Sequence, residues 1–149
     1  MTANTSTAQV DGFSAQERAA MKERAAELRA AGKKGAQQAD GLQAVLDSIA
    51  KMTPEDRALA ERVHVTVTGA APGLSPKTWY GMPAYANADG KVVLCFKNAG
   101  KFGQRYSSLE FQDSAHLDDG DLWPVSYALT TWTPAVEQRL TELVRTAVS

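Results

Sequence analysis

The chain has 149 residues, a length that suits one domain with a single sizeable core. Its 16 lysines and arginines offset 17 acids for a formal net charge of −1, so no global field favours nucleic acid or an anionic membrane surface. No apolar run approaches the roughly 20 residues that span a bilayer, and the single Cys95 excludes an internal disulfide.

Residues 1–12 are small and polar without a period, and disorder is expected there. They hold neither the cationic nor the apolar stretch of a secretory signal, so a cytoplasmic location is expected. Ser14-Ala-Gln-Glu17 has the pattern of a capping box. It predicts a helix over about 15–31, rich in Ala, Glu, Lys and Arg. The apolar face of that helix is thin, with Met21 and Leu28 seven residues apart. Such a helix is marginal alone and reads as a peripheral arm or an interface helix. Gly32-Lys-Lys-Gly35 is its stop signal. Residues 1–36 are thus a disordered start and a charged helical arm, and 37–149 form one α+β domain.

Asp40-Gly-Leu-Gln43 predicts a second start, with Asp40 as N-cap and Leu42, Val45, Leu46 and Ile49 as a buried stripe. Thr53-Pro54-Glu55-Asp56 predicts a third, with Thr53 as cap and Pro54 in the first turn. The run Val63-His-Val-Thr-Val-Thr68 is β-branched and alternates like a strand. Helix is expected there because the cap and the preceding period run into it.

Strands follow. Thr78–Tyr80 and Ala84–Ala86 flank an expected bend at Gly81-Met82-Pro83, and Asn87–Gly90 is a turn. Lys91–Lys97 is apolar inside and suits a strand covered on both faces. Asn98–Gly100 is an expected turn. Arg105–Phe111 alternates, with Ser107, Leu109 and Phe111 on one face and Tyr106, Ser108 and Glu110 on the other. Val125–Trp132 is the last expected strand. Thr133-Pro134 caps a final helix whose stripe is Val136, Leu140, Leu143, Val144 and Ala147. Short links favour antiparallel pairing. The expected fold is α+β: an antiparallel meander of four to five strands, helices on one face, the arm before it and a helix after it.

No catalytic motif is present. His64 and His116 are far apart and have no Cys pair to join them in a metal site. Cys95 sits in an apolar strand and reads as a small hydrophobe rather than a nucleophile. The nucleophile elbow, the phosphate loop and the dinucleotide fingerprint are all missing. Three features remain. Trp79, Tyr80, Met82, Tyr85, Phe102, Tyr106 and Trp123 fall in one half of the chain and either line a small-ligand pocket or fill a core. Lys77, Lys91, Lys97, Lys101 and Arg105 either receive an anion or protect sheet edges. Glu110, Asp113, Asp118, Asp119 and Asp121 form an acidic run without a cation among them, which reads either as a solvated loop or as oxygen ligands for a hard cation or Fe²⁺.

The run Lys77-Thr-Trp-Tyr-Gly-Met-Pro-Ala-Tyr85, with Lys91–Phe96, Lys101-Phe-Gly103, Leu117-Asp-Asp-Gly120 and Trp123-Pro124, resembles the YdhG-like family of small bacterial domains of unknown function. The likeness covers about residues 40–149. It implies a compact α+β domain with an antiparallel sheet. One branch of the family is described as frataxin-like iron chaperones, which implies Fe as a possible cargo and the acids at 110–121 as its ligands. No family catalytic residue carries over.

The reading that follows is a non-enzymatic binding domain. Its pocket or groove is built near 79–85, with Trp79, Tyr80, Met82, Tyr85, Lys77, Lys101, Arg105, Tyr106 and Trp123 as candidate ligand contacts. The alternatives are an iron chaperone and a protein that docks on a partner or a second copy through its N-terminal helix. No cofactor beyond possible Fe is expected, and neither nucleic acid nor membrane is expected as a partner.

Overall fold

The computed structural model describes residues 13–31 and 38–149. The disordered start expected over 1–12 and the stop signal at Gly32–Gly35 lie outside the described residues. Helix α1 spans Ala15–Ala31. The capping box forms as expected: Glu17 N–H donates to Ser14 Oγ (3.0 Å) and Ser14 N–H to Glu17 Oε1 (2.9 Å). Among its described side chains only Ala20 is buried, while Met21 and Leu28 remain exposed. One buried methyl is worth about 0.8 kcal/mol, too little to dock a helix, so polar contacts hold α1 in place.

Helix α2, Gln38–Ala50, starts two residues before the expected cap and takes Asp40 into its first turn. Only half of its expected stripe is buried: Val45 and Ile49 face the core, Leu42 and Leu46 face outward. A Cβ on Gly41 would collide with the Pro76 carbonyl oxygen, so glycine lets α2 lie directly on the first strand. Helix α3, Pro54–Ala70, is capped by Thr53, whose Oγ1 accepts from Asp56 N–H. Its β-branched end stays helical. Val63 and Val67 are buried one turn apart, and Thr68 Oγ1 donates back to the His64 carbonyl (2.8 Å), satisfying the hydroxyl within the helix.

Five antiparallel strands follow in sequence order: β1 (Ser75–Trp79), β2 (Met82–Ala86), β3 (Val92–Lys97), β4 (Ser107–Phe111) and β5 (Ser126–Leu129). The β1–β2 turn is Tyr80–Gly81, closed by the Trp79–Met82 pair. Met82 and Pro83 therefore belong to the strand and not to the bend expected there. Pro83 sits just outside the β2–β3 ladder, whose pairing begins at Ala84. A register shift between Tyr85 and Ala86 pairs them with Leu94 and Val92 and leaves Val93 as the extra residue of a bulge. The bulge turns Val93 and Leu94 to one side of the sheet, and Val92 and Cys95 to the other. The Asn98–Gly100 turn continues into one helical turn, α4 (Ala99–Phe102), ended by Gly103 at φ 64°. Helix α5, Pro134–Ala147, is capped by Thr133 and buries Leu140, Val144 and Ala147.

Helices α2, α3 and α5 cover one sheet face. Tyr85, Leu94, Phe96, Leu109, Phe111 and Leu129 meet Val45, Ile49, Val63, Val67, Leu140 and Val144 there. The opposite face carries a smaller cluster of Met82, Ala84 and Cys95, with Trp79, Tyr80, Val92 and Phe102 beside it. Helix α1 crosses this second face near the β1–β2 turn. The architecture is the expected α+β meander with flanking helices. Among the described residues no helix is long and apolar enough to cross a membrane.

Candidate functional site

The site is built around the Tyr80–Gly81 turn. Tyr80 has φ 54° and Gly81 φ 76°, the pair of positive values that a two-residue type I′ hairpin turn requires. Tyrosine there is strained. The turn closes through Trp79 and Met82, so the Tyr80 and Gly81 N–H groups point out of the ladder. Glu27 of α1 takes both, one with each carboxylate oxygen: Tyr80 N–H to Oε1 at 3.1 Å and Gly81 N–H to Oε2 at 3.0 Å. One turn earlier on α1, Glu23 pairs with Lys101. Arg24 lies 3.5 Å from Glu27 and 5.8 Å from the Tyr80 ring centroid.

On one side of α1 lies an apolar recess of about 320 Å³. Trp79, Tyr80, Met82, Cys95 and Phe102 form its sheet side, and Phe13, Ala20 and Met21 its helical side. Trp79 and Tyr80 meet edge to face, with centroids 5.0 Å apart. The polar groups are Lys97, Glu110, Gln112 and Glu17, and Lys97 Nζ stands 5.0 Å from the Phe102 ring centroid. Burial, with Glu110 adding to it and Lys97 opposing, pushes the Cys95 thiol up to about 12. At neutral pH it is an uncharged, unreactive thiol.

On the other side of α1 lies a cleft of about 600 Å³, bordered by Asp47 and Ser48 of α2, by Lys51 just after it, and by Asn98 and Lys101. Ser48 Oγ donates to the Gly81 carbonyl (2.9 Å), tying α2 to the turn. Asn98 precedes α4 in the cap position but makes no cap bond. The work is done elsewhere: Ala99 N–H donates to Ser107 Oγ (3.0 Å) and Gly100 N–H to buried Asp56 Oδ2 (2.8 Å). Asn98 is only 5% exposed, and its Oδ1 has no hydrogen-bond partner among the described residues.

Of the residues expected to line a pocket, Trp79, Tyr80 and Met82 come together, and Lys101 stands at the same turn. Tyr85 does not join them. Strand side chains alternate between faces, so Tyr85, three positions from Met82, enters the opposite face. It is fully buried there, and its hydroxyl lies 2.8 Å from His64 Nδ1. Trp123 packs against that same main core. Tyr106 is exposed, with the Arg105 guanidinium 5.0 Å from its ring centroid. Lys77 borders a separate recess with Lys91 and Asp113. The basic residues therefore do not converge on one anion.

The acidic run is likewise dispersed. Glu110 Oε2 accepts from Ser108 Oγ (2.5 Å) and Ser126 Oγ (2.8 Å). Asp113, Asp118, Asp119 and Asp121 are exposed along the β4–β5 connection. Among the described residues no three His, Cys, Asp or Glu side chains are grouped as a metal ion requires. Nearness in sequence did not produce convergence, because an extended connection spreads its side chains.

Glu23, Glu27, Ser48, Asn98 and Phe13 belong to this region and escaped the sequence reading. The i, i+4 spacing of Glu23 and Glu27 was the one available signal, and on an arm rich in charge it is ordinary. Comparison with protein-family models, curated proteins and solved structures finds no match for the chain.

Proposed function

We propose that the chain is a small-molecule-binding domain whose ligand enters the apolar recess beside α1. The supporting observation is the convergence of Trp79, Tyr80, Met82 and Phe102 on the sheet face that the main helices leave uncovered. Its volume of about 320 Å³ suits a ligand of one or two rings. The aromatic edges supply most of the contact, and Lys97 and Glu110 orient a polar substituent. No nucleophile or acid–base pair is assigned, so the activity is binding. The same Lys77–Tyr85 run carries the resemblance to the YdhG-like family, and membership of that family is part of this proposal.

The test is an NMR titration of the full-length chain with 2-naphthol, a neutral bicyclic probe. Saturable shifts confined to Trp79, Tyr80, Met82 and Phe102 are expected. Phe102→Ala should weaken binding about tenfold or more, in line with loss of one aromatic contact, and Tyr106→Ala should leave it unchanged. Unperturbed spectra, or equal affinity in Phe102→Ala, would refute the reading.

A further inference from the structure

We propose that the amide pair of the Tyr80–Gly81 turn is a binding site for the carboxylate of a small aryl or alkyl acid, and that Glu27 occupies it as a built-in competitor. The proposal rests on the recess reading above and names the class of ligand.

Successive backbone N–H groups in a turn conformation form an anion-binding concavity. Here each N–H meets one oxygen of a single carboxylate. A free carboxylate presents the same fork. The turn itself does not need an anion, because Trp79 and Met82 close it. Lys101 adds positive charge at the same place. A Cβ built on Gly81 would strike both Lys101 Nζ and the Glu23 carboxylate, so that ion pair lies directly against the turn. Two acids one helical turn apart thus fill a corner made of two amides and an ammonium.

The competitor is weakly held. Among the described α1 side chains only Ala20 is buried. Its polar attachments among the described residues are Glu27 on the amides, Glu23 on Lys101 and Arg24 near the Tyr80 ring. Helix α1 also separates the two recesses, with Glu23 and Glu27 on the cleft side and Ala20 and Met21 on the apolar side. Displacing it joins them. Tyr80 then contributes at both ends: its ring walls the apolar recess and its N–H belongs to the amide pair. An acid whose apolar part lies against Trp79, Tyr80 and Phe102 places its carboxylate within reach of the turn.

A tethered carboxylate competes at an effective concentration on the order of millimolar. Removing it should therefore strengthen a free acid's binding about tenfold or more. The experiment compares 2-naphthoate with 2-naphthol on the full-length wild type, Glu27→Ala and Glu27→Ala/Lys101→Gln, by ¹⁵N chemical shifts. In Glu27→Ala, naphthoate should bind about tenfold tighter than in wild type and shift the Tyr80 and Gly81 amides. Lys101→Gln should erase much of that gain, while naphthol, which carries no carboxylate, shows no such gain of about tenfold in Glu27→Ala. Spectral dispersion reports that each variant is folded. Naphthoate binding that is unchanged in Glu27→Ala, or that leaves both amides unmoved, overturns the competitor proposal and spares the recess. Failure of both probes on every variant overturns the recess reading and this one with it.

Discussion

The hydroxyl of Tyr85 lies 2.8 Å from Nδ1 of His64, joining β2 to α3 across the main core. The two rings are 5.7 Å apart. Burial lowers the His64 pKa and raises that of Tyr85, so both are neutral at pH 7 and a single hydrogen bond joins phenol and imidazole. Tyr85 is fully buried, and among the described residues His64 is the hydrogen-bond partner of its hydroxyl. His64→Leu should cost about 1–3 kcal/mol, the penalty for leaving a buried polar group unpaired. Tyr85→Phe should cost less, about 0.5–1.5 kcal/mol, because half-buried His64 can turn to water. Denaturant unfolding of both single variants and the double variant checks this. A double variant less stable than the sum of the singles would refute the pairing.

The same pair gives stability a pH dependence. The folded His64 pKa lies below the ordinary 6.5 of a free histidine, so the unfolded chain binds its proton first as pH falls. Its contribution is present above pH 6.5 and is lost as pH drops from there through the folded value. Arg57 and Glu61 border the same groove as His64. The melting temperature should fall between pH 7 and 5 in wild type and fall less in His64→Gln. Parallel profiles for the two proteins would show that other groups set the dependence.

Tyr80 should trade stability for binding. Asn at the first central position of a type I′ turn accepts positive φ more readily than Tyr. Tyr80→Asn should therefore melt at or above the wild-type temperature and bind 2-naphthol more weakly, because an aromatic wall is gone. Gly81→Ala should destabilise by about 1 kcal/mol from backbone strain alone, and more through the crowding of Glu23 and Lys101. Thermal melts and naphthol titrations of both variants test the pair. A destabilised Tyr80→Asn would mean that its ring contacts outweigh turn strain.

Asp56 is buried at 6% exposure and accepts from Gly100 N–H at 2.8 Å, coupling α3 to α4. Asp56→Ala should cost about 1–3 kcal/mol by leaving that donor unpaired. Hydrogen exchange should speed up at Gly100 before it does in the main core. Protection at Gly100 equal to wild type would refute the coupling.

With its pKa at about 12 and its side chain buried, Cys95 should resist thiol reagents in the folded protein. Ellman's reagent at pH 8 should report no fast-reacting thiol until urea is added, and then one. Rapid reaction of the native chain would show that burial neither shields the thiol nor keeps it protonated.

Much of the fold was legible because its signals are local. Ser14–Glu17, Thr53-Pro54 and Thr133-Pro134 cap helices through bonds that span three residues. The meander followed from short links, which leave strands no route but antiparallel neighbours. Local signals failed where two elements compete for the same surface. Leu42 and Leu46 continue the α2 stripe, yet the stripe is wider than the strip of sheet that α2 covers, and both stay exposed. The bend near Gly81 moved one residue, to Tyr80–Gly81, because pairing Trp79 with Met82 extends the ladder despite the strain at Tyr80.

The candidate site was half legible for the same reason. Trp79, Tyr80 and Met82 are neighbours across one hairpin, so sequence nearness meant spatial nearness. Tyr85 and Trp123 share their composition, but the alternation of strand faces and the β4–β5 connection carried them to the other side of the sheet. Sequence alone thus determined the long helices, the antiparallel character of the strands and the aromatic hairpin, through caps, periods and link lengths that act within a few residues, while the strand order and the short helix α4 came only with the tertiary structure. Which face each aromatic enters, that Glu27 reaches across to the turn amides, and that Asn98 is buried without its partner were decided only by tertiary structure. Those contacts join residues up to 54 positions apart, and their partners are selected by packing against a sheet that no local segment specifies.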